Sequence, residues 1–242
     1  MRKPLLAGLA GALVLGLSGT AIAQGPEDLG AVQTVEGSIT PIRAGTTQRP
    51  RAVTLSVAVG ATQPDGSQPP VVTRAVLQFP RELKFNGRSF ATCTKSRLDA
   101  QKTPSACPRG SIVGRGRATG RLGATVVNFA VTAINAQRGR QILLFLRQTN
   151  GDITGTLVGS LSRSNQLSVV IPNELQQPAP GTYSSVASLT ATIRATTRVR
   201  GRSVAFVQTT GCPASREWTI TGEFFKLRGG SLTGSATTPC RR

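Results

Sequence analysis

A chain of 242 residues with 29 Lys and Arg against 10 Asp and Glu carries a formal charge of +19, has no histidine and is only 4% aromatic. The missing imidazole removes the commonest general base and excludes Ser-His and Cys-His nucleophile arrangements, as well as histidine metal sites. The charge favours anionic partners, and the scarcity of aromatic rings disfavours nucleic acid, whose bases need stacking platforms.

The first residues read MRKPLLAGLAGALVLGLSGTAIAQ, with Arg2 and Lys3 ahead of an apolar run from Leu5 to Leu17 and a small-x-small site at Ala21–Ala23. This order predicts a secretory signal peptide over residues 1–23. The run is shorter than the roughly 20 residues of a membrane span. The expected product is exported, either secreted or held in the cell envelope, with no transmembrane segment in its mature part. Residues 24–50 are expected to form a partly disordered N-terminal extension, and residues 51–242 a single β domain.

Beyond residue 50 apolar side chains recur with a period of two, the pattern of half-buried strands. In RAVTLSVAV, Val53, Leu55, Val57 and Val59 share one face. GATQPDGSQPP (60–70) then reads as a loop, since proline lacks a ladder donor and glycine tolerates positive φ. A strand follows over 72–79. In SIVGRGRATGRLG (111–123), alternation puts Ile112, Gly114, Gly116, Ala118, Gly120 and Leu122 inside and Ser111, Val113, Arg115, Arg117, Thr119 and Arg121 outside. The small inner residues allow another backbone to approach closely. A phosphate loop is the rival reading, but the spacing Gly114-x-Gly116-x-x-x-Gly120 is one residue too long for the dinucleotide fingerprint, and no helical pattern follows it.

Strands are expected at 125–134, 140–148, 153–161 and 166–171, with the Asn150-Gly151 pair marking a hairpin. PNELQQPAPGTYSS (172–185) reads as a loop. Further strands are expected over 188–196, 203–208, 217–225 and 231–237; in EWTITGEFF, Trp218, Ile220, Gly222 and Phe224 face one way. No mature segment carries a helical stripe. The fold expected is all-β, a two-sheet antiparallel β-sandwich, Ig-like or jelly-roll-like.

Four cysteines, Cys93, Cys107, Cys212 and Cys240, are an even number in an exported chain and predict disulfides. Three pairings are open; Cys93–Cys107 with Cys212–Cys240 is preferred because each closes a short local loop. Without a CxxC pair or histidine, the cysteines do not read as a metal site, and no cofactor motif is present.

Between Ala100 and Gly151 there is no acid, and the run contains Arg115, Arg117, Arg121, Arg138 and Arg140, which are the candidate anion-binding residues. Lys102, Arg109 and Arg147 lie in the same run. A second acid-free run from Leu175 to Arg216 holds Arg194, Arg198, Arg200 and Arg202. If adjacent strands align them, these side chains form a basic sheet face for an anionic cell-envelope polymer or acidic polysaccharide. The competing account is compositional: arginine, alanine and glycine are what a GC-rich genome writes onto any exposed surface. Catalysis is disfavoured, because Glu217 and Glu223 stand roughly 20 Å apart on one strand, farther than a glycosidase pair. A purely structural or interaction protein is the main alternative and a carboxylate-dependent hydrolase the weakest. Trp218 reads as core, and Tyr183 as the better candidate for an exposed aromatic.

The segment FPRELKFNGRSFATCTKSRLDAQKTPSACPRGSIVGRGRAT resembles a recurring pattern in uncharacterised exported β-rich proteins of high-GC actinobacteria. The resemblance lies in Pro80, Leu83, Phe85, Asn86, Cys93, Cys107, Pro108, Ser111, Val113, Gly114, Gly116 and Ala118, and in the C-terminal Cys212, Trp218, Phe224 and Cys240. It implies a secreted β-sandwich with two local disulfides, and no activity or functional residue.

Overall fold

A computed structural model describes residues 25–242; the signal peptide assigned to 1–23 lies outside the described residues. The strands, in chain order, begin with β1 (Val32–Thr40), β2 (Arg51–Ala52), β3 (Thr54–Thr62), β4 (Val72–Gln78) and β5 (Leu83–Phe85). A short helix α1 (Lys95–Gln101) precedes β6 (Ile112–Leu122), β7 (Thr125–Ala136), β8 (Gln141–Gln148), β9 (Thr154–Leu161) and β10 (Gln166–Val170). After α2 (Asn173–Gln176) come β11 (Ser184–Ile193), β12 (Thr196–Val199), β13 (Arg202–Ala205), β14 (Val207–Thr209), β15 (Glu217–Lys226) and β16 (Ser231–Pro239).

Eleven of these strands form one continuous sheet in the order β1-β3-β11-β6-β7-β8-β9-β10-β4-β15-β16. Every neighbouring pair is antiparallel. The two layers expected of a sandwich are thus the two halves of a single sheet that rolls almost closed. Alternation tells which way a side chain faces, and a rolled sheet and a sandwich share that pattern.

The roll closes where β1 lies over β15 and β16. Val35 packs on a glycine floor: a Cβ at Gly222 or Gly234 would come within 3.0 and 2.8 Å of its methyl. Thr238 Oγ1 donates to Gly37 O at 3.1 Å, and beyond the strand ends Arg43 bridges Arg241. The domain expected to begin at residue 51 therefore takes its first strand from 32–40, which pairs with β3 along its whole length.

Inside the roll, Leu55, Val57, Val113, Val131, Leu144, Phe206, Trp218, Ile220 and Phe224 belong to one buried cluster. Trp218 is fully buried and its indole N–H donates to Gly211 O at 3.2 Å. At one end of the roll, Phe206 packs edge-on against Phe85 and Phe90, with centroids 6.3 and 5.2 Å apart.

A second, smaller cluster lies outside the sheet. The excursion between β5 and β6 covers the outer residues Ile134, Leu143 and Phe145 with Leu98 of α1 and the Cys93–Cys107 disulfide. Its anchor is Thr156 Oγ1, which donates to Asp99 Oδ1 at 2.8 Å. Helix α1 escapes a stripe-based reading because only Leu98 of its seven residues is buried; a Thr94 cap and a Lys95–Asp99 pair support this short helix instead. Cys212 and Cys240 form the second bridge. By loop-closure entropy, the bridges are worth about 3 and about 3.5 kcal/mol against their unfolded chains.

Candidate functional site

The SIVGRGRATGRLG stretch forms β6, and the structure corrects its phase at one end. A bulge between Ile112 and Gly114 turns Val113 into the core, while Ile112 packs against the outer cluster. Beyond the bulge the alternation holds. Added Cβ atoms at Gly114 and Gly116 would meet carbonyl oxygens of β11 at 2.4 and 1.8 Å, so glycine is what permits this pair of strands to approach.

The five arginines singled out by sequence do not share one surface. Arg115 and Arg117 are exposed on the outer face of β6, and cross-strand pairing sets Thr190, Arg117, Ala130 and Arg147 in one row. This face is open and set with threonine; Thr192 and Ser56 hydroxyls bond across it at 3.0 Å. Arg121 turns aside: its Nη1 donates to Gly66 O at 2.8 Å, tying down the 60–70 loop. Arg194 is exposed at the end of β11, and Arg198, Arg200 and Arg202 are carried on the two-stranded β12–β13 ribbon, outside the main sheet.

Arg138 and Arg140 lie in the turn between β7 and β8, off the sheet face that carries Arg115 and Arg117. They line an open groove of about 820 Å³ at the end of the roll, together with Lys84, Arg88 and Arg163. All five cations are exposed, they come from three separate segments, and no Asp or Glu is among the residues lining the groove. The nearest acid in sequence, Glu82, is engaged by Arg81 at 3.2 Å.

Three asparagines assemble this groove by donating to backbone carbonyls. Asn165, at the β9–β10 turn, bonds Pro80 O and Leu83 O at 2.9 and 2.7 Å. Asn86 bonds Ala205 O and the Gln208 amide oxygen, both at 2.8 Å. Asn135, fully buried near the end of β7, bonds Gly87 O at 2.9 Å and Ala91 O at 3.0 Å, with a longer contact to Phe90 O. Its own Oδ1 has no partner among the protein atoms.

Above Asn135 the 86–90 and 137–140 segments meet through glycine. A Cβ on Gly87 would stand 2.3 Å from Gly139 Cα, and one on Gly139 would stand 2.7 Å from Gly87 Cα. Gln137 and Arg138 join Gly139 in the left-handed region, with φ of 44°, 53° and 83°. Non-glycine residues seldom adopt that conformation, and it gathers at functional sites. The backbone contact makes Arg88 and Arg138 neighbours on one rim.

Sequence reasoning missed Lys84, Arg88 and Arg163 because it looked for cations on long alternating strands, whereas Lys84 lies on the three-residue β5 and Arg88 and Arg163 sit in turns. Asn86 and Asn165, polar residues in turn segments, were the available signal, though nothing local says which carbonyl an amide will reach. Tyr183, expected to be exposed, is half-buried with its ring against Gly25. Glu223 accepts from Ser231 Oγ at 2.9 Å, and Glu217 is exposed at the other end of β15. Among the described residues no three His, Cys, Asp or Glu side chains gather as metal ligands, and no helix is long and apolar enough to cross a membrane. No protein-family model and no curated protein matches the chain.

Proposed function

We propose that this protein is an exported, non-catalytic binding protein of the cell envelope or extracellular space, and that it holds an anionic polymer in the groove built from Lys84, Arg88, Arg138, Arg140 and Arg163. One observation carries the reading: the Gly87–Gly139 contact and the buried Asn135 hold the segments bearing Arg88 and Arg138 together at an acid-free groove. Purely compositional arginine has no need of such a clamp. Concave surfaces of one sign also concentrate the field more than flat ones do, which favours the groove over the open β6 face. Export is supported by the leader sequence and by both cysteine pairs being bridged. A non-catalytic role is supported by the absence of histidine from the sequence and by the separation of the β15 carboxylates.

The test compares two triple variants of equal net charge on immobilised polygalacturonate and sulfated dextran. Arg88→Ser, Arg138→Ser and Arg140→Ser together are expected to weaken retention at least ten-fold near physiological salt. Arg115→Ser, Arg117→Ser and Arg147→Ser together are expected to change it less than three-fold. On a polyelectrolyte, each lost contact also lowers the slope of log K against log salt by roughly 0.7. Equal losses in the two variants reduce the interaction to bulk charge and overturn the reading.

A further inference from the structure

The interior of the roll contains a cavity of about 120 Å³. Its walls come from opposite halves of the sheet, with Leu55, Val57 and Val59 of β3 facing Leu144 of β8, Leu157 of β9 and Leu167 of β10. Gln33 supplies the sole polar side chain among its lining. A cavity so lined is dry, and its wall atoms lack dispersion partners on one side.

Shape narrows what fits. Lining residues on β3 run from Leu55 to Ala61, six steps of about 3.4 Å and so roughly 20 Å. A volume this small along that length is narrow, which suits a methylene chain better than a ring. A dry cavity of about 150 Å³ takes a six-carbon molecule, so this one, at about 120 Å³, holds roughly five carbons.

The way in is equally constrained. Antiparallel ladders seal the wall between every pair of neighbouring strands, and the overlap of β1 with β16 is joined by side chains and not by a ladder. Gln33 stands at that overlap: a Cβ on Gly234 would lie 3.3 Å from Gln33 O, and the Gln33 amide donates to Thr34 O at the exposed surface.

We propose that the rolled sheet is a binding site for one short unbranched aliphatic chain, such as an acyl chain, entering through the β1–β16 overlap with its polar end beside Gln33. The site is separate from the basic groove. Uncharged probes keep the two apart, because a neutral alcohol gains nothing from arginine.

The experiment titrates the mature protein with 1-alkanols from butanol to dodecanol by calorimetry. Saturable one-to-one binding is expected, tightening about four-fold per methylene and levelling off once roughly five carbons are buried. Ala75→Leu and Ala191→Leu each place a larger side chain at the cavity wall and are expected to weaken octanol binding at least ten-fold, with an unchanged or higher melting temperature. The Arg88→Ser, Arg138→Ser, Arg140→Ser variant is expected to bind octanol as the parent does. Three results overturn the proposal: no saturation at any chain length, affinity that keeps rising through dodecanol, or full octanol binding by both leucine variants. If both variants fail to fold, the chain-length profile of the parent decides alone.

Discussion

Replacing Asn135 by alanine tests the clamp beneath the groove. The change removes the amide that serves Gly87 O at 2.9 Å and Ala91 O at 3.0 Å, and it leaves Phe90 O without its longer contact. Orphaning a buried carbonyl costs about 1–3 kcal/mol, so two good bonds and one weak one predict a loss of about 3 kcal/mol. For a domain of this size that is roughly a 10 °C fall in melting temperature. Thermal unfolding followed by near-ultraviolet dichroism of Trp218 reads it, because that indole is fully buried in the folded chain. Well below the transition, retention on sulfated dextran should also fall, since the segment carrying Arg88 is no longer pinned. Asn135→Asp sharpens the test. Burial and three facing carbonyls raise the folded-state pKa of the new carboxyl above its unfolded value of about 3.9. Relative to the parent, this variant is therefore least destabilised below about pH 4 and loses ground as pH rises toward the raised folded value. A fall in melting temperature under about 3 °C for the alanine variant, or an aspartate variant indifferent to pH, refutes the clamp.

Two further outcomes follow from single contacts. Gly116→Ala drives a Cβ to 1.8 Å from Thr190 O, a backbone atom that cannot swing aside, and is expected to cost about 1–3 kcal/mol in urea unfolding; Gly120→Ala on the same strand meets nothing closer than 3.5 Å and should be neutral, so equal effects would discredit the close approach of β6 and β11. The hydrogen bond from Lys226 Nζ to Asp28 Oδ2 at 2.5 Å, then those from Ala31 and Gly30 N–H, hold the Asp28 carboxyl below its ordinary value of 3.8. The stability this clasp contributes is present above the unfolded pKa and lost as pH falls through the lowered folded one, so limited proteolysis ahead of β1 should quicken only under strongly acid conditions and Asp28→Asn should abolish that dependence.

The strands with a full apolar face could be read directly. RAVTLSVAV and EWTITGEFF alternate without a gap, and both face the core where the pattern says. Of the three cysteine pairings the sequence leaves open, the local one preferred on loop length is the one formed. Strand β1 was not, because its inner face reads Gln33, Val35, Gly37 and Ile39, half of it without an apolar side chain. Those positions are a mouth and a glycine contact, where the roll overlaps itself and leaves little room to fill. Residues 134–145 hid a different fact. Ile142 and Leu144 point inward while Leu143 and Phe145 point outward, yet all four are buried, because the disulfide-bridged excursion covers the outer side. A run apolar on both faces announces a second covering layer without naming the segment that supplies it.

The candidate site was legible only as a charge excess, and the reason is geometric. On a strand the spacing of side chains is fixed by the backbone, so Arg115 and Arg117 stand about 7 Å apart wherever the strand lies. In turns the spacing is set by contacts between segments far apart in sequence: Asn165 to Leu83, Asn86 to Ala205, Asn135 to Gly87. Each is an amide donor meeting a carbonyl, a pairing any asparagine can make with any exposed backbone. Arginine on the sheet face needs no such support and can be gained or lost one codon at a time with little effect on the fold. Arginine in the groove depends on three buried or half-buried amides and a glycine pair, so those five residues, more than the cations themselves, separate a built site from a merely basic surface.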